Sequence, residues 1–255
     1  MTTVIARASE SQHWYTQEGM PQYTVTAKNG TQRNTTLRDA RTMKLVPSVS
    51  TIIGCAAKPG LEAWKLNQMM LACMTLPRAS DESEESYIER VKHDSKEHAR
   101  KAAERGTAIH GALESFYEGI MLAEFLDYQM GVSKAVEAHF GACEWLTERS
   151  FAFEGYGGKC DMYTKQGDGI VIDFKTKEFG PNDKVEGYDE HRMQLSAYRN
   201  GLEVPYARCA NVFVSVSNPG LVRVVEWSQE ELEQGWQMFD ALKTYWQIKN
   251  NHKVM

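Results

Sequence analysis

Gly157-Gly-Lys-Cys-Asp161-Met-Tyr163, followed after a short turn by Gly169-Ile-Val-Ile-Asp173-Phe-Lys175-Thr176, is the stretch on which the fold turns. Side chains alternate along a strand, so Ile170, Ile172 and Phe174 share an apolar face, and Asp173 and Lys175 share the other. Lys165-Gln-Gly-Asp-Gly169 reverses the chain. With the turn centred on Gly167, residues whose numbers sum to 334 pair, and Asp161 stands opposite Asp173. Two facing carboxylates repel by roughly 0.2–1 kcal/mol in an ordinary antiparallel pair, so they need either water or a cation. Hard oxygen ligands suit Mg²⁺ or Mn²⁺. Lys175, one alternation further, points toward an anion, substrate or water held by that metal. An isolated Asp-x-Lys is usually a solvated strand edge; the facing Asp161 and the apolar companion face weigh against that reading here.

Outward from this hairpin, strands are expected at about 149–154, 158–164 and 169–176, a helix at 190–202, strands at 208–216 and 221–227, and a last helix over 228–250. Upstream, the spacing predicts helices at 61–76, from Arg105-Gly106-Thr107 to Gly119, and at 131–147, with a small β region over 14–46. Asp81-Glu82-Ser83-Glu84 has the side chains of a helix cap. The order gives an α/β (α+β) fold with a mixed central sheet flanked by helices and a helical N-terminal lobe. The expected division is 1–104 as a β/helical lobe and 105–255 as the core, packed as one unit.

The 255 residues are 42% hydrophobic and 25% charged, a globular balance that argues against a disordered or rod-like chain. With 29 basic and 34 acidic residues the net charge is −5, so any contact with nucleic acid is local rather than a broad basic face. The five cysteines are scattered without a Cys-x-x-Cys pair, which argues against a zinc ribbon and a disulfide scaffold. No membrane span is legible, and Met1–Glu10 lacks the apolar core of a signal peptide, so a cytoplasmic location is expected.

Two helical pairs complete the pattern. His110 lies on the Gly106-Thr-Ala-Ile-His110 helix with Glu114 one turn on, and Gln194 and Tyr198 share a face four residues apart. Singly, each pair also suits an ordinary polar helix edge. The order Gly-Thr-x-x-His, Gly-x-x-Asp, Asp-x-Lys, Gln-x-x-x-Tyr over residues 106–198 resembles the RecB-type branch of the PD-(D/E)XK nuclease superfamily. Pro47-Ser-Val-Ser-Thr-Ile-Ile53 with Lys58-Pro-Gly-Leu-Glu-Ala-Trp64 is similar to the N-terminal segment of phage-encoded exonucleases and of mitochondrial genome-maintenance exonucleases. The resemblance implies a restriction-endonuclease-like core. His110, Asp161, Asp173 and the main-chain carbonyl of Phe174 would be metal ligands and Lys175 the catalytic lysine. Gln194 and Tyr198 would support the site, with Glu114 and Glu154 as outer acids. Lys159-Cys160 stands where the family's literal Pro-Asp would be.

The function so implied is a metal-dependent DNA exonuclease of phage recombination, repair or replication, working on single strands or free ends. A structure-specific endonuclease and a catalytically degenerate DNA-binding module are the alternatives. An iron–sulfur cluster is not expected, since only Cys209 follows the core. Ser48, Ser50, Thr51 and Lys177 are the expected DNA contacts, with basic support from Arg33, Arg38, Arg41 and Lys44, and from Lys92, Lys96, Arg100, Lys101 and Arg105. A phage single-strand annealing or binding protein is the expected partner, in the cytosol of a bacterial host.

Overall fold

A computed structural model describes residues 13–254; the Met1–Glu10 stretch lies outside the described residues. The N-terminal lobe holds β1 (Trp14–Tyr15), β2 (Thr24–Thr26), β3 (Gln32–Asn34), α1 (Leu37–Met43), β4 (Val46–Pro47), α2 (Val49–Ile53) and α3 (Pro59–Thr75). β2 and β3 form a hairpin, and β1 pairs antiparallel with β4. Helix α1 was not expected in a region read as β. Thr36 and Asp39 form a reciprocal capping box that starts it, and Lys44 ends it in the left-handed region.

α4 (Glu84–Tyr117) is one 34-residue helix capped by Ser83, where a separate helix was expected from Arg105. The division at 104/105 therefore falls inside a continuous helix. Gly106 is not a helix start but a point of close approach: a Cβ there would lie 2.8 Å from Thr176 Oγ1 on the central sheet. Gly106→Ala should thus lower stability although alanine is the better helix former. The clash costs about 1–3 kcal/mol against about 1 kcal/mol of propensity. Adding Thr176→Ala should restore stability to wild type or above in urea denaturation. An unrescued double variant would refute the contact.

α5 (Leu126–Phe140) follows a single 3₁₀ turn and stops at Gly141, φ +79°, so the residues read as its last turn instead open β5 (Leu146–Phe153). β6 (Tyr156–Thr164), β7 (Ile170–Lys177), α6 (Asp189–Gly201), β8 (Arg208–Ser215), β9 (Val222–Trp227) and α7 (Gln229–Lys249) complete the chain. The sheet order is β5-β6-β7-β8-β9, antiparallel except for the β7/β8 pair, which α6 connects as a crossover. This is the mixed, helix-flanked sheet expected.

The hairpin pairs Met162 with Ile172, Tyr163 with Val171 and Thr164 with Ile170, the register predicted from the turn at Gly167. Ile170, Ile172 and Phe174 pack with Met162, Val212 and Val214 against Ile109 and Leu113 of α4 and Val132 and Val136 of α5. The opposite face buries Val171 and Tyr163 beneath Leu195 and Tyr198 of α6, with Leu232, Phe239 and Trp246 of α7. Trp14, Leu45, Val49 and Ile52 belong to that same core, which fixes this part of the lobe against the sheet. Trp14 is fully buried against Trp246 and His252, so it is unavailable to stack on a base.

Candidate active site

The hairpin ladder stops one pair short of the aspartates. Beyond Met162 and Ile172 the strands part, and the Phe174 N–H donates to Asp161 Oδ2 at 2.8 Å instead of to a β6 carbonyl. A carboxylate thus takes the place of a backbone rung. An extended residue presents its N–H and C=O to the same edge, so the Phe174 carbonyl faces the same gap.

Across the gap Asp173 is almost fully buried, and its Oδ2 meets Lys175 Nζ at 2.6 Å and Asn211 Nδ2 at 2.8 Å. Asn211 is its parallel register partner on β8, and Trp227 Nε1 donates to Asn211 Oδ1 at 2.8 Å. An indole N–H can only donate, so it fixes which end of the amide faces Asp173. Lys175 Nζ also donates to Gln194 Oε1 at 2.9 Å, and Gln194 Nε2 donates to Tyr198 Oη at 2.8 Å. Asp173, Lys175, Gln194 and Tyr198 therefore form one chain of contacts. Gly158 admits it: a Cβ there would stand 2.9 Å from the Tyr198 ring, which explains why glycine precedes Asp161 by three residues.

His110 reaches the gap from α4. Its Nδ1 lies 3.9 Å from Asp161 Oδ2, and its ring meets Phe174 edge-on. Burial, and next the charge of Asp173, push the Asp161 carboxyl above its usual range, against the pull of His110, Lys175 and the Phe174 amide. The Lys175 ammonium is paired with Asp173, and both strong contacts to Asp173 use Oδ2, leaving Oδ1 for another cation. Among the described residues no three His, Cys, Asp or Glu side chains converge on a ready-made site. Asp161 and Asp173 line the gap with the Phe174 carbonyl, and His110 stands 3.9 Å off Asp161, donor types that suit Mg²⁺ or Mn²⁺ completed by water.

Other expected residues lie elsewhere. Glu114 is half-buried one turn beyond His110 and bonds to neither aspartate. Glu154 is exposed at φ +41° in the Glu154-Gly155 turn closing β5 and β6. Five residues of β6, about 17 Å of strand, separate that turn from Asp161, too far for Glu154 to support it. The acid facing Asp161 on β5 is Glu148, at φ +53° and ion-paired with Lys159.

Ser48 is also corrected as a phosphate donor. It is buried, caps the five-residue α2 by accepting from the Thr51 N–H at 3.0 Å, and bonds the Ser50 and Thr51 hydroxyls. Ser50 remains exposed and Thr51 half-buried. Lys177 lies two residues beyond Lys175, on the same strand face, with its Nζ 5.6 Å from the centre of the Tyr188 ring. Several basic residues are already spoken for: Arg33 by Asp39, Lys92 by Glu89, and Arg100 by Glu97 and Glu104.

Sequence reasoning missed Asn211, Trp227 and His191. The signal for Asn211 is a polar residue inside the apolar run Cys209-Ala-Asn211-Val-Phe-Val214. His191 is nearly buried and accepts the Tyr188 N–H at 3.1 Å. Burial first, then Lys175 and Lys58, lower its pKa to about 4, with Asp173 and Glu190 opposing. The folded state thus prefers neutral His191. Below the unfolded value near 6.5 the unfolded chain binds more protons, so this contribution is lost as pH falls from about 6.5 to 4. The loss amounts to about 2–4 kcal/mol. His191→Gln keeps an acceptor at this capping position and should flatten stability across that window. An unchanged pH slope would remove His191 as its source.

No family model and no curated protein matches the chain. A solved structure titled "Crystal structure of SSO0001" matches at 14% identity over 71% of this chain and 86% of that one. Its TM-score of 0.28 is too low to carry an argument.

Proposed function

We propose that this chain is a divalent-metal-dependent DNA exonuclease that hydrolyses phosphodiester bonds from free ends. The observation that carries the reading is the parted hairpin, where Asp161 replaces a ladder rung opposite Asp173 with Lys175 alongside. A hairpin stabilised for its own sake would zip past this point. Here two carboxylates and a backbone carbonyl are kept facing one gap, at a cost in repulsion that a bound cation would relieve further than Lys175 does alone.

Asp161, Asp173, the Phe174 carbonyl and His110 would hold Mg²⁺ or Mn²⁺, which when bound acidifies water and polarises a phosphoryl oxygen. Asn211, locked by Trp227, donates to Asp173 Oδ2 and fixes the orientation of that side chain for a ligand role. Lys175 lies between Asp173 and Gln194, placed to orient the attacking water and to stabilise charge that builds on the phosphate. Its ion pair with Asp173 favours this electrostatic role over that of general base. Gln194, itself held by Tyr198, restrains Lys175 when the phosphate draws on it. Lys177 continues the cationic track along the same strand face, and Ser50 and Thr51 are the remaining hydroxyls of the α2 segment for a DNA backbone.

The setting is phage recombination, repair or replication, with a single-strand annealing or binding protein as the partner and no iron–sulfur cluster. Among the described residues no helix is long and apolar enough to cross a membrane, and we place the enzyme in the host cytosol. The direct test is digestion of end-labelled single- and double-stranded DNA with Mg²⁺, with Mn²⁺ and with chelator. Cleavage that survives chelation would end the proposal.

His110 offers a sharper check. At 3.9 Å from Asp161 and over a third exposed, it contributes little to packing. His110→Ala should therefore raise the metal concentration for half-maximal activity about 10–100-fold while leaving thermal stability nearly unchanged. Normal metal dependence in an unstable variant would make His110 a packing residue.

A further inference from the structure

A second cavity opens where the last turn of α6 meets the first turns of α7, lined in part by Arg199, Gln229, Trp236 and Tyr206. Arg199 is only 5% exposed, yet among the described residues no carboxylate is ion-paired with it. Its Nη1 donates to Gln229 Oε1 at 2.6 Å, and its Nε has no partner. Gln229 is held in turn, its Nε2 donating to the carbonyls of Tyr206 and Ala207 at 3.2 and 3.4 Å. That leaves Gln229 Oε1 as a neutral acceptor for a buried cation, which is poor compensation for a desolvated guanidinium. The unspent donors, Nε and Nη2, form the side-on fork of the guanidinium, whose geometry matches a carboxylate. Gln229 is the first residue of the 21-residue α7, so the positive end of that helix adds to the attraction.

The rest of the cavity narrows the ligand. Asp168 and Glu233 also line it, so one buried positive charge faces two acids. These acids repel a phosphate dianion or a run of DNA phosphates more strongly than a single negative charge, which the Arg199 fork and the α7 N-terminus can offset. Trp236 and the exposed Tyr206 supply aromatic wall. We propose that this cavity binds a lone carboxylate attached to an aromatic or other apolar group. A peptide's free C-terminal residue and a small aromatic acid both present that chemistry. The proposal is independent of the nuclease reading, because Arg199 touches none of the Asp161, Asp173 and Lys175 group.

The test is calorimetric titration of the intact protein with N-acetyl-phenylalanine, with a tetraglycyl-phenylalanine peptide, and with the C-terminal amide of each. Binding of a free acid at least tenfold tighter than its amide supports the site. If the peptide binds tighter the source is a chain terminus, and if the two acids bind equally it is a small molecule. Arg199→Gln should abolish binding with DNA cleavage unchanged. Should that variant fail to fold, Tyr206→Ala, at an exposed wall position, should weaken binding with the thermal midpoint unmoved. No saturable binding at millimolar acid, equal binding of acid and amide, or displacement by oligothymidylate would each overturn the proposal.

Discussion

Lys175→Ala should yield a folded protein whose DNA cleavage falls by at least about 10³-fold, the scale of losing a preorganised charge at a phosphoryl transition state. The apolar companions Ile170, Ile172 and Phe174 hold the strand without help from its polar face. Removing Lys175 nevertheless strands Asp173, nearly buried and left with Asn211 alone, so metal-free protein should also lose stability. Asp161→Asn should be equally inactive but shift stability the other way. The Asp161 carboxyl is strained by burial and by Asp173, and an asparagine oxygen still accepts the Phe174 N–H. Its thermal midpoint without metal should therefore match or exceed wild type, the usual trade of stability against a charged site. Asp173→Asn should also abolish cleavage. Steady-state cleavage and thermal melts in chelator decide the matter together. Near-normal turnover by folded Lys175→Ala protein would remove Lys175 from the mechanism, and a destabilised Asp161→Asn would mean that the two acids do not repel.

What was legible in the sequence was local and periodic. The register of β6 on β7 follows from one turn and strict alternation, because a slip by one residue would bury Asp173 and Lys175 in the α4 and α5 core. Helix α1 and the continuity of α4 were harder to read. The first depends on a capping box in a short polar stretch, and the second on Gly106 passing Thr176, a contact that is 70 residues distant in sequence. Ser48 has the residue type of a phosphate donor, but its hydroxyl closes its own helix cap. Glu154 fails because two positive-φ residues make a hairpin turn there. Asn211 and Trp227 could not be assigned to the site without the parallel pairing of β7 and β8, since nothing local ties residue 211 to residue 173.

The largest contrast is expected between DNA with ends and DNA without. Lys58, the N-cap of α3, stands close enough to His191 to help depress its pKa, and α4 packs along α3 and brings His110 to Asp161. One end of this helical pair therefore stands near His191, and the other carries His110 to Asp161. On another side, Ser48 of the lobe bridges Gly157 of β6, four residues before Asp161. On the proposed reading, a strand that reaches Asp161 and Asp173 runs past both of these elements. Threading from an end is easier than lateral entry by a continuous chain. The contacts available are also narrow, since the net charge is −5 and Lys92 and Arg100 of α4 spend their charge on acids of the same helix. Linear single strands should accordingly be degraded progressively to short oligonucleotides, while a covalently closed single-stranded circle of the same sequence survives under identical metal and enzyme concentrations. One nick should make the circle as sensitive as the linear strand, which separates a requirement for an end from any effect of sequence. Equal loss of closed circle and linear strand, with early products of random length, would exchange the exonuclease reading for an endonuclease on the same residues.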